Sequence, residues 1–317
     1  MILVTGANGF VGKSLVHYLA SQKLAPCVVA AVRRDDLSWP EGIKPILMGD
    51  LQAFTDWQNA LQGVNEVVHL AGLAHSKETT NKYQHAEYFR INVDCTSNLA
   101  LQAAKSGVKR FVYLSSIKVN GESTIPGNPF TAQDIPSPED IYGVSKFHAE
   151  LALKQIALDT GMEAVIIRPP LIYGPAVKAN FNTLMRLLSK RIPLPLAGIT
   201  NNRRSFVALG NLNDLILKCL SHPQAANHTF LVSDGEDLSI AELITRLGIA
   251  LNRPAHLFDV SEKILEWGAS LTNTGSVFKR LCGSLQIDMN ITQKLLDWHP
   301  PLTVDRGLKL TAESFRL

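Results

Sequence analysis

Short apolar runs alternate with helix-like segments through the first half of the chain, and this alternation restricts the fold more than any other feature. The apolar runs span 2–4, 28–32, 67–70, 111–114 and 165–167. Their near-continuous apolarity is typical of strands buried on both faces. Between them, Val11, Leu15 and Leu19 recur at helical spacing, and segments 93–105 and 145–158 are long, free of proline and rich in helix formers. The rhythm predicts an α/β fold with a doubly wound parallel sheet.

The texture of the sequence changes after Tyr173-Gly174-Pro175, where prolines divide the chain into short pieces. We therefore expect a first domain over 1–175 and a smaller, irregular α/β domain over 176–317. Segments 205–209 and 229–232 also have the composition of strands. They are predicted to return to the sheet of the first domain.

Composition excludes several classes of protein. With 317 residues, 46% hydrophobic and 19% charged, the chain is neither disordered nor fibrous. A net charge of +3, from 31 basic and 28 acidic residues, gives no reason to expect a nucleic-acid or membrane partner. No apolar run approaches the roughly 20 residues of a membrane span. Because the chain begins directly with an apolar run, we expect no signal peptide and a cytoplasmic location.

Four cysteines lie far apart, with no C-x-x-C pair: Cys27, Cys95, Cys219 and Cys282. This spacing argues against a disulfide framework or a zinc site, and no metal is expected. The four thiols are predicted to be buried apolar side chains.

A glycine-rich turn follows the first apolar run and opens a predicted helix. The turn consists of Gly6, Ala7, Asn8, Gly9, Phe10, Val11 and Gly12. In this context small residues let the backbone approach a pyrophosphate, and the free N–H groups of the helix favour its charge. A tight strand-to-helix turn also needs glycine, but placement at the first strand favours a dinucleotide site of Rossmann type. All of these residues except Ala7 are predicted to contact the cofactor.

Cofactor selectivity is expected to depend on the end of the second strand, where an acidic residue commonly binds the ribose of NAD. This sequence has Arg33 there. Because a guanidinium pairs with a 2′-phosphate, Arg33 favours NADP(H). NAD(H) stays open, since Asp35 or Asp36 could take the acidic role, and Asp50 and Leu51 are predicted at the adenine end.

Lys146 follows Tyr142 by four positions at the start of a predicted helix, so the two side chains share one face. A phenol is a poor base at neutral pH, but an ammonium and an oxidised nicotinamide both favour the phenolate. We therefore expect a lowered pKa for Tyr142 and a general acid/base role. An accidental helical pair is the alternative.

Together with this pair, several further motifs resemble those of extended short-chain dehydrogenases/reductases, in the nucleotide-sugar epimerase/dehydratase branch. They are His69-Leu70-Ala71-Gly72, Asn92-Val93-Asp94, Leu114-Ser115-Ser116, Arg168-Pro169-Pro170, Tyr173-Gly174-Pro175 and Arg204-Ser205-Phe206-Val207. The resemblance implies a Rossmann fold, an NAD(P) cofactor and a nucleotide-sugar substrate.

The resemblance also implies roles for individual residues. Ser116 would hold the reacting sugar oxygen and relay its proton. Lys146 would also bind the nicotinamide ribose. Further cofactor contacts are expected from Leu70, Ala71, Gly72, Asn92 and Pro169. Substrate contacts are expected from His75, Asn180 and Arg204, the last of which would bind the diphosphate unless it forms an ordinary ion pair. His69, within an apolar run, is expected to be structural.

Three reactions suit this scaffold: C4 epimerisation, 4,6-dehydration and reduction of a 4-keto sugar. Dehydratases of the family carry Asp-Glu after the hydroxyl residue, whereas this chain has Ile117-Lys118, so dehydration is set aside. Arg33 and Arg34 favour an enzyme that consumes NADPH. The run from Ser115 to Glu122, with Asn120 where many epimerases have Tyr, resembles the branch that contains reductases of UDP-4-keto-6-deoxy-N-acetylhexosamines. We therefore expect hydride transfer at C4 of a UDP-linked hexose or N-acetylhexosamine, with reductase ahead of epimerase. A non-catalytic NADP(H) sensor is the alternative from another class.

The predicted helices over 93–105 and 145–158 carry apolar residues on more than one face. In the second helix, Phe147, Leu151 and Leu158 stand beside the stripe of Ala149, Leu153 and Ile156. A second apolar stripe needs a partner. Related enzymes pair these helices across a two-fold axis, so a homodimer is expected, with cover by the chain's own loops as the alternative.

Overall fold

A seven-stranded, wholly parallel sheet forms the centre of the protein. The structure is a computed structural model that describes residues 1–34, 38–74, 82–261, 264–265 and 282–315. The strands of the sheet are β1 (Ile2–Thr5), β2 (Val28–Val32), β3 (Lys44–Leu47), β4 (Glu66–His69), β5 (Arg110–Leu114), β6 (Glu163–Arg168) and β9 (Thr229–Leu231). Their order across the sheet is β3-β2-β1-β4-β5-β6-β9. This is the doubly wound architecture that the sequence predicts.

Helices cover both faces of the sheet, and further helices pack beside it. They are α1 (Phe10–Ser21), α2 (Gln58–Leu61), α3 (Lys82–Phe89), α4 (Cys95–Lys105), α5 (Ile141–Thr160), α6 (Ala179–Ser189), α7 (Leu209–Ser221), α8 (Ile240–Ala250), α9 (Asn290–Leu296) and α10 (Val304–Glu313). Successive strand residues point to opposite faces. Thus Val4 packs with Leu15 of α1 in one core cluster, and Leu3 packs with Leu99 of α4 in the other.

All five predicted strands are present, and each was recognisable because it is buried. The sequence did not predict β3, at the edge of the sheet, because three of its four residues are exposed and their side chains show no continuous apolar run. The predicted helix over 145–158 begins earlier, at Ile141. Asp140 caps it there through its side chain, which accepts a hydrogen bond from the Gly143 N–H.

The C-terminal part of the chain packs partly on this sheet and partly beside it. β7 (Leu171–Tyr173) and β8 (Phe206–Ala208) form a separate two-stranded parallel sheet. Around it, α6, α8 and α10 contribute to a third core cluster. Of the two segments predicted to return, β9 joins the main sheet beside β6, whereas β8 does not. Both edges of β6 are already occupied, by β5 and β9, so β8 pairs with β7 instead.

Two further expectations can be compared with the structure. Cys95, Cys219 and Cys282 are buried, but Cys27 is exposed, because it lies in the short turn that precedes β2 rather than in the strand. Among the described residues, no helix combines the length and the apolarity that crossing a bilayer requires. The division of the chain at residue 175 stays a prediction.

Candidate active site

The glycine turn lies where β1 ends, between β2 and β4, at the point where the strand order reverses. Gly6 has φ of +63°, and a Cβ there would lie 2.8 Å from the backbone N of Ala71. At Gly12 a Cβ would lie 2.1 Å from the Gly6 carbonyl oxygen. Only glycine therefore lets the turn, α1 and the loop after β4 approach this closely.

The N-terminus of α1 is open to an anion. Its N-cap residue, Gly9, provides no side-chain hydrogen bond, and the first turn contains no acidic residue. The Gly9 N–H already donates to the Gly6 carbonyl oxygen. The N–H groups that follow it, in the first turn of α1, are available to a pyrophosphate, whose charge the helix dipole favours. Three residues predicted to contact the cofactor, Asn8, Phe10 and Val11, are partly exposed around the same turn. These residues fit the diphosphate of a dinucleotide.

Arg33 and Asp50 lie together at the carboxyl edge of the sheet. Nη1 of Arg33 is 3.7 Å from Oδ1 of Asp50, and both side chains are largely exposed. The next residue, Leu51, accepts a hydrogen bond on its carbonyl oxygen from Arg90. The positive charge that the sequence analysis assigned to a 2′-phosphate is thus opposed by a carboxylate. Asp35 and Asp36 lie outside the described residues.

Asn92 fixes the loop that follows β4. It lies in a π-helical turn, Arg90–Asp94, that leads into α4. Its amide accepts a hydrogen bond from Leu73 N (2.8 Å) and donates to the Leu73 carbonyl oxygen (3.0 Å) and to Ser145 Oγ (2.9 Å). Asn92 therefore joins the loop to α5 through protein partners, and its predicted cofactor contact stays untested.

Gly72 borders the space in front of this amide. A Cβ at Gly72 would lie 3.0 Å from Asn92 Oδ1 and 3.3 Å from Lys146 Nζ. Leu70 and Ala71 are held by their backbone N–H groups, both of which donate to Thr5 Oγ1. The loop thus places Leu70 and Ala71 against Gly6, and Gly72 beside the predicted catalytic lysine.

Lys146 is buried in the second turn of α5. Its ammonium donates to the Leu114 carbonyl oxygen at 2.9 Å and lies 4.6 Å from the centre of the Tyr113 ring. Burial lowers the pKa of Lys146 to about 8, and the Glu150 carboxylate partly opposes this change. The side chain therefore carries a positive charge at neutral pH.

Tyr142, the second residue of α5, hydrogen-bonds to the side chain of Ser116, which follows β5. Burial raises the pKa of Tyr142 to about 12, a hydrogen bond with the Ser116 side chain lowers it, and the nearby Asp140 carboxylate raises it. The Tyr88 ring of α3 lies 6.3 Å from the Tyr142 ring. The expectation of a lowered pKa is thus wrong for the protein groups alone, because desolvation of the phenolate outweighs the stabilisation that they provide.

His69 is structural, as expected. Its ring is buried, with Nδ1 2.7 Å from Thr5 Oγ1 and Nε2 2.9 Å from Thr96 Oγ1. Desolvation, and to a smaller extent the Lys146 charge, lowers the pKa of His69 to about 3. The ring therefore stays neutral and stacks on Tyr113, the ring that Lys146 approaches.

The predicted substrate residues are only partly described. Arg204 donates to the Gly283 carbonyl oxygen at 2.9 Å, and burial lowers the pKa of its guanidinium, an effect that Cys282 and Glu122 oppose. Asn180 is the second residue of α6, and its side chain lies outside the described part of the structure. His75 also lies outside the described residues. Pro169 is buried after β6, where its carbonyl oxygen binds Ile117 N.

Several residues that support this site were not predicted from the sequence. Glu150 is fully buried and binds Arg168 and the Ser115 hydroxyl. Lys118 binds Asp140, the residue that caps α5. The spacing of Glu150 four residues after Lys146 was a usable signal, because such residues share a helix face. The pairing of Lys118 with Asp140 had no local signal.

Comparisons with known proteins agree with this architecture. A model of the NAD dependent epimerase/dehydratase family matches residues 2–237. A UDP-glucose 4-epimerase of Vibrio cholerae is 45% identical to this chain, over 99% of this chain and 95% of that protein. A GDP-6-deoxy-D-mannose reductase of Pseudomonas aeruginosa is 31% identical, over 97% and 94%. A crystal structure of UDP-glucuronic acid 4-epimerase from Bacillus cereus in complex with NAD has the same fold, with a TM-score of 0.78, 19% identity and coverage of 99% and 95%.

The sheet and its glycine turn define a dinucleotide-dependent enzyme of Rossmann type. The chain belongs to the NAD dependent epimerase/dehydratase family. The resemblance seen in the sequence is thereby confirmed, and the non-catalytic sensor is not supported.

Proposed function

We propose that this enzyme is a UDP-sugar 4-epimerase that uses NAD. The observation that carries the proposal is the 45% identity, over nearly the whole chain, to a UDP-glucose 4-epimerase. The geometry agrees with it, because Tyr142, which hydrogen-bonds to Ser116, lies on the same helix as the buried Lys146. Lys146 in turn borders the loop after β4 that packs against the glycine turn. This relative favours an epimerase over the reductase that the sequence motifs indicated.

The proposed chemistry is reversible oxidation at C4 of the sugar. NAD, held by the glycine turn at the start of α1, would supply reversible hydride exchange with C4, and its oxidised ring would add a positive charge that favours the Tyr142 phenolate. Tyr142 Oη removes the proton of the C4 hydroxyl and later returns it to O4. Ser116 holds that oxygen within reach, and Lys146 keeps a cation close to the phenol.

Reduction of a 4-keto sugar is the second candidate, and the 31% identity to a GDP-6-deoxy-D-mannose reductase favours it. The same three residues would serve, since Tyr142 would protonate O4 as hydride arrives at C4. The two functions differ in how the cofactor is used. An epimerase regenerates its cofactor in each cycle, whereas a reductase consumes a reduced dinucleotide and must exchange it.

NAD is the cofactor that we propose, in preference to NADP. The guanidinium of Arg33 is offset by the carboxylate of Asp50 at 3.7 Å. A carboxylate in this position would repel a 2′-phosphate and could accept hydrogen bonds from a free ribose or an adenine. The structural relative from Bacillus cereus also contains NAD.

The test has two parts. Purified protein is first denatured, and the released nucleotide is identified by mass spectrometry. The protein is then incubated with UDP-glucose or UDP-N-acetylglucosamine without added cofactor, and the products are analysed by NMR. Bound NAD and conversion to the C4 epimer support the proposal. Conversion of a 4-keto sugar with stoichiometric consumption of NADPH, and no epimerisation, would favour the reductase.

We further propose that two copies associate through α4 and α5. Ala149, Leu153 and Ile156 of α5 are buried in the core, whereas Leu151 is 46% exposed and Leu158 is 80% exposed. Leu101 of α4 is 44% exposed. Sedimentation equilibrium tests the association: a dimer that becomes a monomer on Leu151→Glu supports it, and a monomeric parent protein contradicts it.

A further inference from the structure

Lys118 connects two acidic residues directly beside the acid/base pair. It lies in the 3-10 turn Ile117–Val119, which follows Ser116. Its ammonium donates to Glu122 Oε1 at 2.8 Å and also to Asp140 Oδ2. The side chain is only 26% exposed, so water screens these contacts less than it would at an open surface.

The contact with Asp140 joins the turn that holds Ser116 to the helix that holds Tyr142. On the turn, Lys118 N donates to Ser116 Oγ at 3.3 Å. On the helix, Asp140 Oδ1 accepts from Gly143 N at 2.7 Å and so caps α5 two residues before Tyr142. The two segments also touch, because a Cβ at Gly143 would lie 2.8 Å from the Lys118 carbonyl oxygen.

Asp140 is an unfavourable neighbour for a phenolate. Burial raises the pKa of Tyr142, and the negative charge of Asp140 raises it further. The pKa of Asp140 itself is lowered: burial opposes this, but the hydrogen bond from Lys118 and the Gly143 N–H outweigh it, so the carboxylate stays charged. The helix thus gains a cap at the cost of a negative charge beside the proposed base.

The ionisable groups near Tyr142 come from several elements. Tyr88 of α3 and Tyr113 of β5 interact with the Tyr142 phenol, and Lys146 and Glu150 follow it along α5. Glu122 and Glu139 lie beside the Lys118 turn, where the Glu122 N–H donates to Glu139. Lys118 is thus a positive charge, besides Lys146, placed among the acidic residues near the phenol.

We propose that Lys118 is a positioning residue whose ammonium fixes Ser116 against the start of α5 and cancels the Asp140 charge, so that Tyr142 can release its proton. This inference rests on the acid/base role proposed for Tyr142. Lys118 itself exchanges no proton with the sugar, and it acts through Asp140 and Ser116. Its effect should therefore appear in the pH dependence of turnover.

Three variants test the inference by the sign of a pH shift. Lys118→Met leaves Asp140 uncompensated, so the limb of the kcat profile that reports Tyr142 should move to higher pH by about half a unit or more. Asp140→Asn removes the opposing charge and keeps a side chain that caps helices, so the same limb should move to lower pH. In Lys118→Met/Asp140→Asn the limb should return towards its original position.

Two control variants separate charge from structure. Lys118→Arg keeps the charge and should keep the profile. Arg246 bridges Glu236 and Asp305 in the C-terminal part of the chain, so it matches Lys118 in its contacts. Arg246→Met should leave the limb unchanged. The melting temperature of each variant is measured to show that it folds. If Lys118→Met does not fold, the direction in which Asp140→Asn moves the Tyr142 limb decides whether the inference holds.

A second readout makes the result independent of turnover. The tyrosinate absorbance of each NAD-bound protein is titrated, and the titration of its Tyr142→Phe partner is subtracted. Opposite shifts in Lys118→Met and Asp140→Asn support the inference even if no UDP-sugar is converted, in which case only the proposed function fails. Unchanged titrations, shifts of the same sign, or a Lys118→Arg protein that behaves like Lys118→Met would overturn it.

Discussion

Glu150 and Arg168 form a buried ion pair behind the acid/base residues, with Arg168 Nε 2.9 Å from Glu150 Oε1. A second guanidinium nitrogen binds the other carboxylate oxygen, and the Ser115 hydroxyl donates to Glu150 as well. The pair joins α5, the end of β6 and the residue before Ser116. The framework that carries the site is thus held by charges that water does not reach.

Glu150→Gln should destabilise the protein by about 3–5 kcal/mol, because it leaves the buried Arg168 charge without a counter-ion. The free energy of unfolding in urea measures this. The matched variant is Glu236→Gln, which removes the partner of Arg246 in a more exposed pair and should cost less than about 1 kcal/mol. Equal losses in the two variants would show that burial of the pair does not matter.

Gly6→Ala should weaken dinucleotide binding by more than backbone strain alone explains. Gly6 and Gly63 have similar positive φ, +63° and +71°, so alanine costs roughly 1–2 kcal/mol of strain at either position. Only at Gly6 does the new Cβ meet the backbone, 2.8 Å from Ala71 N, whereas at Gly63 the nearest atom is Met1 Sδ at 3.8 Å.

Calorimetric titration with NAD compares the two variants. Gly63→Ala should keep the parent affinity, and Gly6→Ala should weaken binding by at least about tenfold, which corresponds to 1.4 kcal/mol. If Gly6→Ala binds NAD like the parent protein, the glycine turn is not the site of the diphosphate.

Most of the fold and part of the site could be predicted from local signals. Fully buried strands such as β2 show as apolar runs, and Tyr142 and Lys146 are a fixed four residues apart. The partner of β8 could not be predicted, because its pairing with β7 joins segments distant in the sequence and has no local signal. The contact between Lys118 and Asp140, 22 residues apart, arises only when the turn after β5 meets α5.

The His69 ring makes stability depend on pH. Its pKa is lowered from 6.5 to about 3 in the folded protein, so the unfolded chain binds a proton that the folded protein rejects. The resulting stability is complete above the unfolded pKa and is lost as the pH falls towards 3.

His69→Gln should remove this dependence. The glutamine amide can bond to both threonine hydroxyls, and it does not titrate. Between pH of about 6 and 4, the unfolding free energy of the parent protein should fall more steeply than that of the variant by about 1.4 kcal/mol per pH unit. Urea titrations across this range measure the slopes, with the exposed His256→Gln as a control. Parallel slopes for parent and His69→Gln would contradict a buried neutral ring.

Asp50→Asn should increase the affinity for NADP relative to NAD by about threefold to tenfold. The change removes the carboxylate that offsets Arg33 and leaves the guanidinium free to pair with a 2′-phosphate. Dissociation constants for both dinucleotides test this. Glu66→Gln, at the opposite end of the sheet, serves as the control and should leave the ratio unchanged. An unchanged ratio in Asp50→Asn would place the 2′ position away from Arg33.

The most direct test of the proposed chemistry is the turnover number of Tyr142→Phe with a UDP-sugar that the parent protein epimerises. Phenylalanine keeps the ring against Tyr88 and removes only the hydroxyl that exchanges a proton with O4. Tyr18→Phe, which removes a hydroxyl bound to Asp214 on α7, is the control. We predict a fall in kcat of about 10²–10⁴-fold for Tyr142→Phe, with its NAD content unchanged. A turnover number close to that of the parent protein would contradict the account.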